Sequence, residues 1–123
     1  MKKILLVDDE KDLCTLVKKN LEATGDFEVT TRLDSVGVME VVKKIKPDVV
    51  LLDILLPGKR GNEIAEELRG HPDFKDIPVI FLTGMVRGEE ARQADNVIGG
   101  KYFVSKPVET SELIAIIKRA CGE

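Results

Sequence analysis

The sequence predicts a doubly wound α/β fold, and three observations carry that reading. Short apolar runs alternate with segments of helical apolar spacing along the whole chain. Several of those runs are unbroken by polar residues, which suits strands covered on both faces, as in a parallel sheet. Finally, 123 residues is about 0.8 of a ~150-residue domain, so the length favours one domain over 1–123.

Five strands and five helices are expected, in strict alternation. The strands are Ile4–Val7, Phe27–Thr31, Val49–Leu52, Val79–Leu82 and Tyr102–Val104, of which the first, third and fourth are the unbroken runs. Between the first two, Leu13, Leu16, Val17 and Leu21 mark one buried stripe of a helix that ends before Gly25. Ser35 is the expected N-cap of a second helix carrying Val38, Met39, Val42 and Ile45, and Pro47 stops it. A third helix is expected over Asn62–Arg69 and a fourth over Gly88–Asn96, the latter with only Ala91, Ala94 and Val97 to pack. The fifth starts near Thr110 or Ser111 and buries Leu113, Ile114, Ile116 and Ile117. Because βαβ crossovers are right-handed, this alternation places helices on both faces of one sheet.

Composition narrows the function. Acidic residues outnumber basic ones 22 to 19, and no basic run exceeds two adjacent residues, so direct nucleic-acid binding is not expected. Cys14 and Cys121 belong to no CxxC or Cys/His cluster, and His71 lies in a polar loop segment without a partner at ligand spacing. The apolar run after Met1-Lys2-Lys3 lasts only four residues before Asp8 and Asp9, and no run approaches the ~18 residues of a membrane span. A cytoplasmic protein that does not contact membranes is the expectation.

In doubly wound sheets, ligands bind beyond the carboxyl ends of the strands. The residues there are Asp8 and Asp9, Asp53, Thr83, and Ser105 with Lys106. Taken singly, each has an ordinary explanation: an Asp pair caps a turn, a threonine ends a strand, a lysine is solvated. Together they put three carboxylates, a hydroxyl and an ammonium in one pocket. Clustered carboxylates need a cation, and a site of few oxygen ligands suits Mg²⁺, with Mn²⁺ as a substitute. A metal beside a carboxylate, with a lysine opposite, also describes a phosphoryl-transfer site in which the carboxylate is the nucleophile. Asp53, central among the three, is the expected nucleophile. Asp8-Asp9-Glu10 would repel the phosphate of a flavin nucleotide, and no GxGxxG or GxxxxGK[ST] stretch occurs.

The motifs Ile4-Leu5-Leu6-Val7-Asp8-Asp9-Glu10, Pro47-Asp48-Val49-Val50-Leu51-Leu52-Asp53 with Pro57 and Gly61, Thr83 thirty residues past Asp53, and Lys106-Pro107 stand in this order. In that order and spacing, the chain resembles, over a core of about 3–120, the receiver domain of two-component response regulators, including single-domain chemotaxis-type members. The resemblance implies a flavodoxin-like, five-stranded parallel sheet of order 2-1-3-4-5. It also implies that Asp53 accepts a phosphoryl group from a phosphohistidine on a histidine kinase or phosphotransfer protein. Asp8, Asp9, Asp53 and the backbone carbonyl of Leu55 would hold Mg²⁺, Thr83 and Lys106 would contact the phosphoryl oxygens, and Lys106-Pro107 would be cis. The switch pair would be Thr83 and Phe103, the aromatic three residues before the lysine, and not Tyr102.

Lys59 and Arg60 depart from the family pattern and should make the pocket mouth more positive. Leu55 and Met85, two residues after Asp53 and Thr83, should tune water access. The chain is then expected to be no enzyme beyond its own phosphorylation and dephosphorylation. Its output would be an unknown protein reading the face of the fourth helix, fifth strand and fifth helix. Two alternatives stand beside this reading: a degenerate receiver that binds partners without phosphorylation, and an aspartate-based phosphatase, which usually has a second Asp where Leu55 stands.

Overall fold

The computed structural model describes residues 1–84, the short strand 97–98 and residues 101–123. Its described elements are β1 (Lys2–Val7), α1 (Lys11–Glu22), β2 (Phe27–Arg32), α2 (Val38–Ile45), β3 (Val49–Asp53), α3 (Gly61–Arg69), β4 (Val79–Thr83), β5 (Val97–Ile98), β6 (Lys101–Ser105) and α4 (Thr110–Ala120). The sheet order is β2-β1-β3-β4-β6-β5, parallel except for β5, which pairs antiparallel with β6. The five expected strands are therefore the parallel part, in the expected order. β5 adds a sixth, two-residue edge strand that its brevity hid from any periodicity. The helix expected over Gly88–Asn96, and Met85, lie outside the described residues.

The unbroken runs have a direct physical cause. Ile4 and Leu6 of β1 join Val49 and Leu51 of β3 and Ile80 and Leu82 of β4 in a core beneath α1 and α4. The alternate residues Leu5, Val7, Val50, Leu52 and Phe81 join a second core beneath α2 and α3. Strands sandwiched in this way need apolar side chains at every position, so their sequence loses its period of two.

Two helix details differ from the sequence reading. The inward stripe of α1 is Cys14, Val17 and Leu21, whereas Leu16 is 56% exposed. Cys14 behaves as a small hydrophobe and takes the place that apolar spacing gives to a leucine. Ser35 does not cap α2, which starts at Val38 after Gly37, a residue at φ 71°. Its hydroxyl donates to the Pro57 carbonyl at 3.1 Å and accepts from the Lys59 N–H at 3.0 Å, linking the loop after β2 to the loop after β3. His71 stacks on Phe74 with centroids 4.3 Å apart, and its Nδ1 accepts the Asp73 N–H, a structural role within its loop.

Gly61 opens α3 directly against the end of β3. Its N–H donates to the Ile54 carbonyl at 3.0 Å, and a Cβ there would collide with the Asp53 carbonyl oxygen. Gly84, at the end of β4, would meet nothing within 4 Å. Gly61→Ala should therefore cost about 1–3 kcal/mol through forced backbone movement, while Gly84→Ala should stay within about 0.5 kcal/mol of wild type. Urea denaturation of both variants checks the pair, and equal midpoints would show that the close approach at Gly61 carries no constraint.

Candidate functional site

Among the described residues, the buried polar or charged ones are Asp8, Asp53 and Thr83. All three stand at the carboxyl ends of central strands, where the sheet stops supplying apolar neighbours. Asp8 is fully buried and extends the β1–β2 ladder, its N–H donating to the Arg32 carbonyl at 3.0 Å. Asp53 closes β3 opposite Leu82 of β4, and Thr83 pairs with Ser105 of β6. The Lys106 N–H then donates to the Thr83 carbonyl at 3.0 Å, and the cis Lys106–Pro107 peptide follows, as expected.

The carboxylates converge. One oxygen from each of Asp8, Asp9 and Asp53 lies within 4.8 Å of the others, Asp9 being exposed at the rim. The Lys106 ammonium reaches into this group, 2.9 Å from Asp8 Oδ2 and 3.4 Å from Asp53 Oδ2. It also donates to Glu10 Oε1 at 2.8 Å. Sequence reasoning weighed Glu10 only as part of an acidic run. Its link to Lys106 spans 96 positions, and no local pattern signals it.

The carboxylates are oriented from the backbone. Asp53 Oδ1 accepts the Leu55 N–H at 3.2 Å, and Asp8 Oδ1 accepts the Glu10 N–H at 2.9 Å. Leu55 itself is exposed. Beneath the cluster, the Cys14 thiol donates to the Asp8 carbonyl at 3.3 Å. On the second core, the Phe103 ring lies 5.5 Å from that of Phe81, while Tyr102 packs on the opposite face of the sheet. The two adjacent aromatics are thus distinguished by the pleat. Lys59 pairs with Glu67 of α3, which offsets much of the positive charge expected at the mouth.

Electrostatics follow from this crowding. Burial, and then the neighbouring Asp8 charge, push the Asp53 carboxyl above its usual range, although the Leu55 N–H and Lys106 act against the shift. Burial disfavours the Lys106 ammonium too. Glu10 and Asp8 outweigh it and hold that group above an ordinary lysine. Asp8 Oδ2 makes its Lys106 contact as an ion pair and, among the described residues, accepts no aligned hydrogen bond. A buried carboxylate oxygen with free lone pairs, facing two further carboxylates, is a donor set for a hard divalent cation.

This fold and this cluster define a class: a doubly wound α/β domain with an acidic, lysine-bearing pocket at the carboxyl edge of its sheet. The description "Response regulator receiver domain" matches residues 4–118, and the chain belongs to that family. It is 39% identical over 117 residues to the phosphate regulon transcriptional regulatory protein PhoB of Rhizobium meliloti. That alignment covers 94% of this chain and 50% of the regulator, so the chain spans half the length of that relative. Among solved structures, it is similar to a response regulator from Chloroflexus aurantiacus, with TM-score 0.83, 26% identity, and 99% and 98% of the two chains covered. It is also similar to the chemotaxis protein CheY4 of Vibrio cholerae, with TM-score 0.81, 26% identity and 98% of each chain covered. Receiver domains are generally signalling modules without an enzymatic role, bind Mg²⁺ at an acidic pocket, and interact with histidine kinases and output domains. No helix among the described residues is long and apolar enough to cross a membrane.

Two outcomes are expected. Because the Asp53 carboxyl is raised on folding, its ionisation destabilises the metal-free fold at neutral pH, and that penalty disappears as pH falls towards the unfolded value of about 3.9. Asp53→Asn should thus be more stable than wild type at neutral pH in chelator, with the difference closing in acid. Denaturation at both pH values measures it, and a gap that widens on acidification would reverse the sign. The Cys14 thiol, buried and pushed up to about 11, should resist a disulfide reagent near pH ~8, where half-buried Cys121 reacts. Counting thiols before and after unfolding tests this.

Proposed function

We propose that Asp53 is the phosphoacceptor of this receiver domain. The observation that carries the reading is the single Lys106 ammonium shared between the buried carboxylates of Asp8 and Asp53 at the strand ends. An Asp53 carboxylate oxygen attacks the phosphorus of a phosphohistidine on a kinase or phosphotransfer protein. The P–O bond forms as the P–N bond breaks, and the imidazole leaves with the electron pair. The Leu55 N–H holds the carboxylate plane, and the Lys106 ammonium offsets charge on the transferring oxygens.

Asp8, Asp9 and Asp53, with the Leu55 carbonyl, would hold Mg²⁺, for which Mn²⁺ can substitute. When bound, the ion supplies charge neutralisation for the phosphoryl group. Thr83 would contact a phosphoryl oxygen through its hydroxyl. Phosphorylation adds roughly −1.5 to −2 charges to the pocket. Thr83 and Phe103 then move inward, and the surface that carries β6 and α4 becomes the one an output protein reads. Leu55 over the pocket sets water access and so the lifetime of the aspartyl phosphate. Residues 1–123 act as one receiver unit in the cytoplasm, with no contact to nucleic acid of their own.

Incubation with a small acyl phosphate and Mg²⁺ should add one phosphoryl mass to the intact chain. Asp53→Asn and excess chelator should each abolish the addition. An adduct that survives Asp53→Asn would overturn the assignment. Partner binding indifferent to both treatments would favour a phosphorylation-independent module instead, and repeated turnover on an external phosphoester would favour a phosphatase.

A further inference from the structure

Among the described residues, Lys106 has three carboxylate neighbours, and they are not equivalent. Asp8 and Asp53 are buried and belong to the cluster that would take the metal, whereas Glu10 is more than half exposed and stands outside it. The shortest of the three contacts, and an aligned hydrogen bond, goes to Glu10. The Glu10 backbone is fixed by its N–H to Asp8 Oδ1, so Asp8, Glu10 and Lys106 form a closed ring of contacts.

A cation brought to the cluster competes with the ammonium, because the Asp8 and Asp53 carboxylates that hold the ammonium also belong to the cluster. Any group that draws Lys106 aside lowers that competition. Resting on the phosphoacceptor reading above, we propose that Glu10 is a positioning residue for Lys106: it takes up part of the ammonium and so sets the metal affinity of the Asp8, Asp9 and Asp53 cluster. Without Glu10, Lys106 leans fully on the buried carboxylates and Mg²⁺ binds less tightly. The effect runs through the lysine, which separates it from the plain loss of one negative charge at the rim. A charge effect alone acts whether or not Lys106 is present.

Calorimetric titration of Mg²⁺ into wild type, Glu10→Gln, Lys106→Met and the double variant tests this. Glu10→Gln should weaken Mg²⁺ binding about three- to tenfold in the wild-type background and less than about twofold in the Lys106→Met background. Lys106→Gln, which keeps a donor of similar reach, replaces Lys106→Met if that variant does not fold. Equal weakening in both backgrounds, or none in either, overturns the role of Glu10 while leaving the receiver reading intact. Absence of Mg²⁺ binding by the wild type, or binding indifferent to Asp9→Asn and Asp53→Asn, overturns the metal site itself and the inference with it.

Discussion

The rest of the structure is organised around one electrostatic constraint: two carboxylates, Asp8 and Asp53, are buried where the central strands end, and one ammonium is shared between them. Burying a carboxylate is unfavourable unless a partner or cation compensates. The chain places both at the ends of the apolar runs Ile4–Val7 of β1 and Val49–Leu52 of β3, and brings the partner from the end of β6 through a parallel ladder across β4. Crowding leaves Asp53 with a carboxyl raised by burial and by Asp8. A pocket in this state is held ready for an added cation, and its electrostatic tension is concentrated on the residue expected to react.

Much of the architecture was legible because burial on two faces writes itself into sequence. Ile4–Val7 and Val49–Leu52 have no polar residue to spare, since odd and even positions feed different cores. The candidate site was legible for a related reason: a charged or hydroxyl side chain directly after such a run must either face a ligand edge or be paired. Asp8, Asp53 and Thr83 all lie there, buried. The pleat also separates Phe103 from Tyr102, placing the two rings on different cores.

What sequence reasoning missed involves contacts that have no local period. On α1 the inward stripe is Cys14, Val17 and Leu21, spaced i, i+3, i+7, and Leu16, two residues from Cys14, therefore points away from the core, while the Cys14 thiol also donates to the Asp8 carbonyl. Ser35 has ideal capping chemistry, yet its hydroxyl serves a link across 22 positions of chain instead. Glu10 reads as one more acid in an acidic run, and only the folded chain brings Lys106 to it. Each case is tertiary structure overriding a sound local preference.

The hydrogen bond from Gly61 to Ile54 closes the loop between β3 and α3 at its base. Residues 55–60 therefore form a small ring pinned at both ends beside Asp53, anchored by Leu56, which is buried in the second core. The exposed side chains of the ring include Leu55, whose N–H donates to the Asp53 carboxylate, and Lys59, paired to Glu67. Substitutions at these exposed positions can change the polarity and reach of the surroundings of Asp53 at little cost to the two cores, whereas Leu56 is held by one of them. On the reading of Asp53 proposed above, the exposed positions of this loop are where the timing of the signal can diversify, while Leu56 and the two cores keep the fold constant.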